Sequence, residues 1–306
     1  MRNPFDISAR FLLVVVLLST GCGSETKDQL AIPDSPDGTV RVVMDGLVQH
    51  RPEVLWRALP LSYQQDVNSL TTCFAENMDA ALFERAVAVA RKGVVVLQGK
   101  KDLVLATETV ANSGIDVATF DALWESYIHI ADVFLASDLA RLEAYATMNV
   151  EGFLETDGAA MMDHAAGLKT GEEDADTLAS RLAALESTSV ELIGRDGDQA
   201  TLLIAPPDQQ PVEVAMVRVE ERWLPVDLVE RWPSAIEQAM TRIEMLGSDE
   251  AAQARVQALF AIGIAEGFID QIEQMEVPED LDNLIGGILG NFIQQQSQTR
   301  NVVSQG

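Results

Sequence analysis

Residues 187–232 form the main stretch of strand character in a chain whose other apolar residues recur at helical spacing. Val94 to Leu97 could also be a strand, although the flanking residues favour helix. Four segments within residues 187–232 have the composition of strands: 189–193, 200–205, 212–219 and 223–228. Asp196-Gly197 between the first two predicts a two-residue type I′ turn, because glycine and aspartate accept positive φ. On either side, apolar residues three and four apart predict helices over 39–186 and 233–295. The predicted class is therefore α+β and predominantly helical, with a helical N-terminal block, a small antiparallel three- to four-stranded meander and a C-terminal helical hairpin.

The first 24 residues have the organisation of an export signal. Arg2 and Arg10 give a positive start, and Phe11 to Leu18 is an unbroken apolar run of eight residues. A bilayer-spanning helix needs about 20 apolar residues, so this run is too short to span a membrane. Small residues follow, and they end at Cys22. The segment predicts export followed by cleavage.

Ser19-Thr20-Gly21-Cys22 resembles a bacterial lipobox. This resemblance implies that the chain is cut before Cys22 and that lipid is attached to its thiol. A plain secretory signal is the alternative. We therefore expect an exported protein that is lipid-anchored to a bacterial membrane and faces the periplasm or the cell exterior. The polar residues 25–38, which include two prolines, suit a flexible tether between the anchor and the fold.

The strongly acidic composition limits the possible partners. The formal net charge is -27, and a chain this acidic is repelled by nucleic-acid phosphates. We therefore expect no nucleic acid partner, and membrane contact through the anchor only. The chain has two cysteines, and lipid on Cys22 would leave Cys73 without a partner. Cys73 is then predicted to be a small buried hydrophobic residue, with a reactive thiol as the alternative. The polar residues 296–306 are predicted to be a disordered tail.

Two short stretches resemble known exported proteins. Gly38 to Gln64 looks like the opening of many exported bacterial proteins of unknown function, in which a helix, a turn and a tryptophan precede a Leu-Pro-x-Ser-Tyr segment. Here Pro52, Trp56 and Leu59 to Tyr63 match that pattern. Arg222 to Asp227 is similar to the end of the sheet in exported proteins with the nuclear-transport-factor-like fold. That resemblance implies a sheet that finishes near these residues, and it brings no catalytic residues.

The best candidate for chemistry lies on the helix predicted after Asp116. Asp121, Glu125, His129 and Asp132 fall within about 80° of one another at roughly 100° per residue. Carboxylates beside an imidazole could ligate a divalent metal or act as an acid–base pair. The alternative is a solvated polar face, since aromatic and aliphatic side chains occupy the opposite side of the same helix.

The chain contains no Gly-x-Ser-x-Gly elbow and no glycine-rich phosphate loop, so no cofactor is predicted. The function we expect is a non-catalytic binding or scaffolding module with a possible protein partner. The competing class is a metal-dependent or acid/base enzyme centred on His129 and its neighbouring carboxylates.

The two helices nearest the C-terminus are predicted to pack against each other as an antiparallel hairpin over 248–275 and 278–295. The first carries Val256, Phe260, Ile264 and Phe268 on one face. The second carries an apolar stripe at helical spacing: Leu281, Leu284, Ile285, Ile288, Leu289, Phe292 and Ile293. Both faces are predicted to be buried between the two helices.

Overall fold

A computed structural model describes residues 31–168, 177–207 and 209–287. It confirms the predicted α+β, predominantly helical class. The helices before the sheet are α1 (Pro36–Val48), α2 (Glu53–Ala58), α3 (Leu61–Asn77), α4 (Ala80–Gly99), α5 (Lys101–Leu105), α6 (Glu108–Ala111), α7 (Val117–Ala136), α8 (Val150–Phe153), α9 (Ala159–Ala165) and α10 (Leu178–Glu186). The sheet contains β1 (Ser189–Asp196), β2 (Gln199–Ala205), β3 (Val212–Val219) and β4 (Arg222–Pro225). It is followed by α11 (Val226–Gly247), α12 (Ala252–Gln274) and α13 (278–287).

Several helices begin where the sequence predicts a cap. Asp79 accepts a hydrogen bond from the Leu82 amide at the start of α4, at 2.8 Å. Asp116 does the same for the Thr119 amide at the start of α7, at 3.0 Å. These carboxylates accept hydrogen bonds from backbone amides that have no partner within the helix. The predicted helix after Ser137 is replaced by two 3-10 turns, Asp138–Ala140 and Leu142–Thr147.

The sheet is a meander in which each strand pairs with its neighbour in sequence, in the order β1-β2-β3-β4, and all pairs are antiparallel. Its buried face has its own small core, and α1 covers it through Val40 and Met44. The buried strand residues are Val190, Ala200, Leu202, Met216 and Trp223.

The first hairpin turn differs from the predicted type I′ turn at Asp196-Gly197. Asp196 pairs with Gln199, so the two central residues are Gly197 and Asp198. Gly197 has φ +57, whereas neither aspartate is among the described residues with positive φ. A positive φ at the first central residue alone is the pattern of a type II′ turn, which requires glycine there. The hairpin is confirmed, but the predicted turn is wrong in its type and by one residue in its position.

The second hairpin turn places two non-glycine residues in the left-handed region. Val219 pairs with Arg222, and the intervening Glu220 and Glu221 have φ of 46° and 67°. Glu220 accepts a hydrogen bond from the Ser62 amide at 3.0 Å, and this bond lowers the pKa of its carboxyl group. The contact ties the turn to the first turn of α3.

Glu221→Gly should stabilise the protein, because glycine removes the steric cost of a left-handed conformation, about 1 kcal/mol. Urea unfolding should show a higher midpoint for this variant. Glu220→Gly relieves the same strain but removes the contact with Ser62, so its gain should be smaller. Equal gains for both variants would show that the Glu220 contact contributes nothing.

The boundary between the sheet and the following helix differs from the prediction. The fourth strand ends at Pro225, whereas the sequence predicts strand to 228 and helix only from about 233. Helix α11 begins at Val226 and continues through Pro233. Leu228, Val229 and Trp232 face the main core from this helix. Burial of this apolar face stabilises the helix, although a segment that contains a proline has a low intrinsic preference for helix.

The main core lies between α2, α3, α8, α11 and the 3-10 turns. Phe153 is fully buried in it, and Tyr63 stacks on Trp232 with ring centroids 4.4 Å apart. The buried members are Trp56, Leu59, Tyr63, Val67, Leu139, Val150, Phe153, Leu154, Met161, Leu224 and Trp232. This core joins the N-terminal helices to the helix that follows the sheet.

An aromatic cluster extends from the core to α4. Tyr145 contacts Phe74 and Phe83, with ring centroids 4.9 and 6.1 Å away. Its hydroxyl group donates a hydrogen bond to the Leu139 carbonyl at 3.0 Å. Burial raises the pKa of Tyr145 to about 12.

The last described helices form contacts that differ from the predicted hairpin. Helix α12 packs on α4, where Arg85 pairs with Glu266 at 2.6 Å and Lys92 pairs with Asp270. Gly93 leaves space for Ile269, which comes within 3.3 Å of where a Cβ atom would lie. The predicted burial of Val256, Phe260 and Ile264 is therefore wrong, because these contacts turn the opposite face of α12 inward and leave the three side chains exposed.

Helix α13 is anchored to α6. Asp282 accepts hydrogen bonds from the amides of Glu108 and Thr109 at 2.8 and 2.9 Å, and Leu281 is buried. Leu284 and Ile285 are half-buried, while Ile288, Leu289, Phe292 and Ile293 of the predicted stripe lie outside the described residues.

Among the helices of the described ranges, none is both long enough and apolar enough to span a membrane.

Candidate functional site

The carboxylates of the predicted constellation on α7 are held by cationic or amide groups. Lys101 contacts Asp121 at 2.6 Å and also pairs with Glu125. Hydrogen bonds that Lys101 donates to these two carboxylates raise the pKa of its ammonium group. Asp132 accepts a hydrogen bond from the side-chain amide of Gln98 at 2.7 Å. The structure thus uses these carboxylates to attach α7 to α4 and α5.

His129 has a different neighbour. Its ring is exposed and stacks on that of His164, with the centroids 4.7 Å apart and the planes 19° from parallel. Stacked rings contact each other through their faces, whereas a bound metal lies in the plane of each imidazole ligand. Within the described residues, no three histidine, cysteine, aspartate or glutamate side chains come together in a way that could hold a metal ion.

Each of the three histidines takes part in a contact made by α9, although they are far apart in sequence. His50 follows the C-cap of α1 and has φ 56, the left-handed conformation that is common just after a helix. Its Nδ1 contacts the carboxylate of Asp163. His164 follows Asp163 directly in the sequence, and its ring stacks on that of His129. These contacts connect α1 to α9 and α9 to α7.

A groove between α3 and α11 is the second candidate site. It has a volume of about 670 Å³ and is open to solvent. Amide, hydroxyl and carboxylate groups dominate its lining, together with one thiol and one thioether: Gln65, Asn68, Ser69, Thr72, Cys73, Glu76, Asn77, Met240 and Glu244. None of the described residues that line it is a lysine or an arginine.

Helix geometry explains how the groove is built. Asn68, Thr72 and Glu76 repeat every four residues and therefore follow one face of α3. Met240 and Glu244 have the same spacing on α11. Gly247 lies against Asn77, since a Cβ atom there would be 2.7 Å from the Asn77 side-chain oxygen. The close approach of the two helices closes one end of the groove.

Two glutamates and no described lysine or arginine line the groove, so its electrostatics favour cationic or neutral polar groups.

Cys73 is buried in the wall of the groove, which confirms the predicted burial, and Asn77 donates a hydrogen bond to its sulfur at 3.4 Å. Burial raises the pKa of the Cys73 thiol, and the charges of Glu244 and Glu76 raise it further. The thiol is therefore protonated at neutral pH and is a poor nucleophile.

Sequence reasoning missed the groove. The polar stripe on α3 was a visible signal, but polar stripes also occur on any solvated helix. Only the pairing of α3 with α11, more than 160 residues later, turns the stripe into a concave surface. The same holds for the histidine cluster, because nothing in the local spacing links His50 or His164 to His129.

Comparisons of this chain with protein-family models, with curated proteins and with solved structures gave no match.

Proposed function

We propose that this protein is a lipid-anchored, non-catalytic binding module of the bacterial cell envelope, and that its ligand lies in the groove between α3 and α11. The observation that carries the proposal is the composition of the groove, which offers many hydrogen-bonding groups and two carboxylates but no activated nucleophile. The signal-like residues 1–24 and Cys22 support the anchor, and the residues between Cys22 and α1 would be the tether. The predicted tether over 25–38 is too long at its C-terminal end, because residues 36–38 belong to α1.

The groove favours a ligand with cationic groups. Glu76 and Glu244 lie on its two different helices, so a cation between them can be approached from both sides. The net charge of -27 raises the local concentration of cations around the whole molecule. The neighbouring amides and hydroxyl groups can donate and accept hydrogen bonds along an extended polar chain. A lysine-containing peptide segment has both features.

A peptide of alternating lysine and serine should bind to the Cys22→Ser protein, and a matching peptide of glutamate and serine should not. Glu76→Gln combined with Glu244→Gln should weaken binding of the lysine peptide about tenfold, which corresponds to about 1.4 kcal/mol. These changes keep the shape of both side chains and remove only their charge. Isothermal titration calorimetry at low salt measures both affinities.

A matched control separates local contacts from net charge. Glu186→Gln with Glu191→Gln changes the net charge by the same amount at exposed positions on α10 and β1. This control should bind the lysine peptide as tightly as the parent protein does. If the control and the groove variant bind equally, the groove is not the site.

The anchor is tested separately. Labelling cells with a fatty acid should mark the wild-type protein, because the lipobox-like residues predict lipid on the Cys22 thiol. Cys22→Ser should be unlabelled and should leave the membrane fraction, and Cys73→Ser should remain labelled. Labelled, membrane-bound Cys22→Ser protein would contradict the proposed anchor.

The histidine cluster supports a second candidate, an acid/base enzyme centred on His129. The favouring observation is the contact of His129 with His164 beside the pair of Asp163 and His50. Under the binding proposal, His129→Asn with His164→Asn leaves peptide affinity unchanged. A loss of affinity in that variant would move the functional site to the cluster.

A further inference from the structure

Helix α12 has an exposed apolar face in its first half. Of the 13 large hydrophobic side chains that are exposed in the described residues, six lie between residues 245 and 264. Four of these belong to α12, and Phe260 and Val256 are the most open, at 71% and 67% of their maximum exposure. The contacts of α12 with α4 described above start only at Glu266, so the first half projects beyond them.

This face carries no charge. No charged residue occurs between Val256 and Ala265, although the protein has a net charge of -27. The nearest cation, Arg255, is turned toward the end of α11, where it donates hydrogen bonds to the carbonyls of Leu246 and Ser248. Two copies of so acidic a protein repel each other over most of their surface, but an uncharged face permits close approach.

Two glycines leave a shallow depression on the same face of α12. Among the described residues, no neighbouring atom lies within 4 Å of where a Cβ atom of Gly263 or Gly267 would be. At about 100° per residue, Val256, Phe260, Gly263 and Gly267 lie within about 60° of one another. These four residues form a stripe along the helix. Val256 and Phe260, four residues apart, occupy its N-terminal part, and the two glycines, also four apart, occupy its C-terminal part.

This order makes the stripe complementary to itself. If a second α12 runs antiparallel so that Phe260 lies over Gly263 of the other copy, then Val256 lies over its Gly267. In an antiparallel pair, the residue numbers of every facing pair have the same sum. The same alignment therefore places Leu259 opposite Ile264. A two-fold axis repeats every contact, so each phenylalanine faces a glycine space. Glycines four apart allow two helix backbones to approach closely.

We propose that the protein forms a two-fold symmetric dimer through antiparallel pairing of the Val256–Gly267 face of α12 with the same face of a second copy. This dimer does not depend on the ligand groove, which lies between α3 and α11. The buried surface is limited to one helix face on each copy, which indicates a weak, reversible dimer. Shared anchoring to a membrane would raise the local concentration of the two copies.

Sedimentation equilibrium of the full-length mature chain with Cys22→Ser tests this dimer. We expect a monomer–dimer equilibrium that becomes tighter as sodium chloride increases, because salt screens the repulsion between two acidic copies. Phe260→Glu should weaken the dimer at least tenfold. Val95→Glu places the same charge at an equally exposed valine on α4 and should have no such effect.

A second variant separates docking from folding. Gly263→Leu has room for its side chain in one copy and replaces glycine by a better helix former, so it should raise the melting temperature of the monomer. It fills the space for Phe260 of the other copy, so it should weaken the dimer. A purely monomeric wild-type protein at high concentration and high salt would overturn the proposal. So would a dimer that both Phe260→Glu and Gly263→Leu leave intact.

Discussion

Trp232→Ala is expected to lower the free energy of unfolding by about 3–5 kcal/mol, the range for removing a large aromatic side chain from a core. Trp232 is buried, stacks on Tyr63 and donates a hydrogen bond from its indole nitrogen to Asp66 at 2.8 Å. The change therefore leaves a cavity between α3 and α11 and takes a donor from the Asp66 carboxylate. It should also displace the two helices that form the proposed ligand groove.

Trp232→Phe is the matched control for this effect. It retains an aromatic ring over Tyr63 but loses the hydrogen bond to Asp66, so it should cost about 1–3 kcal/mol. Urea denaturation followed by far-UV circular dichroism measures both variants. Equal losses for alanine and phenylalanine would show that the stack does not stabilise the protein.

Phe153→Ala should destabilise the protein by a similar amount, about 3–5 kcal/mol. Its side chain has no exposed surface and lies at the junction of α8 with the π-helical turn Leu154–Gly158. Gly158 approaches it closely, since a Cβ atom there would lie 3.5 Å from the ring. Phe153 is packed within the main core, so removing its ring leaves a cavity among buried side chains.

Phe260→Ala is the corresponding control, because Phe260 is the most exposed phenylalanine among the large apolar side chains of the described residues. Removing it should change the unfolding free energy of the monomer by less than about 0.5 kcal/mol. The comparison is made by urea denaturation at a protein concentration low enough to avoid association. A loss for Phe260→Ala as large as that for Phe153→Ala would contradict the assignment of the core.

Elements determined by local interactions were predictable from the sequence. Asp79 and Asp116 cap helices because a carboxylate can reach the amide three residues later within one turn. Gly197 marks the first hairpin for a similar local reason. Its turn type was not predictable, because the register that places Gly197 rather than Asp196 at the first central position depends on pairing along β1 and β2.

Elements determined by contacts between distant segments were not predictable. The apolar stripe on α12 indicates a buried face, but Gly93 and the cations of α4 select the opposite face for packing. The strand predicted over 226–228 is helical because Trp232, Leu228 and Val229 are buried together against α3 and its neighbours. In both cases the decisive partner lies more than 100 residues away in sequence.

The candidate sites follow the same division. The sequence placed Asp121, Glu125, His129 and Asp132 correctly on one helix, but their partners Lys101, Gln98 and His164 come from other elements. Cys73 was predicted to be buried from its composition and neighbours alone. Its position in the wall of a polar groove depends on α11 and was not visible in the sequence.

Hydrogen–deuterium exchange with and without the lysine–serine peptide tests the binding function most directly, because it reports where the peptide acts on the unmodified fold. The proposal predicts slower exchange in residues 65–77 of α3 and 240–247 of α11, with little change in residues 125–132 and 159–165 around the histidine cluster. Slower exchange at the histidine cluster, with unchanged exchange along the groove, would contradict it.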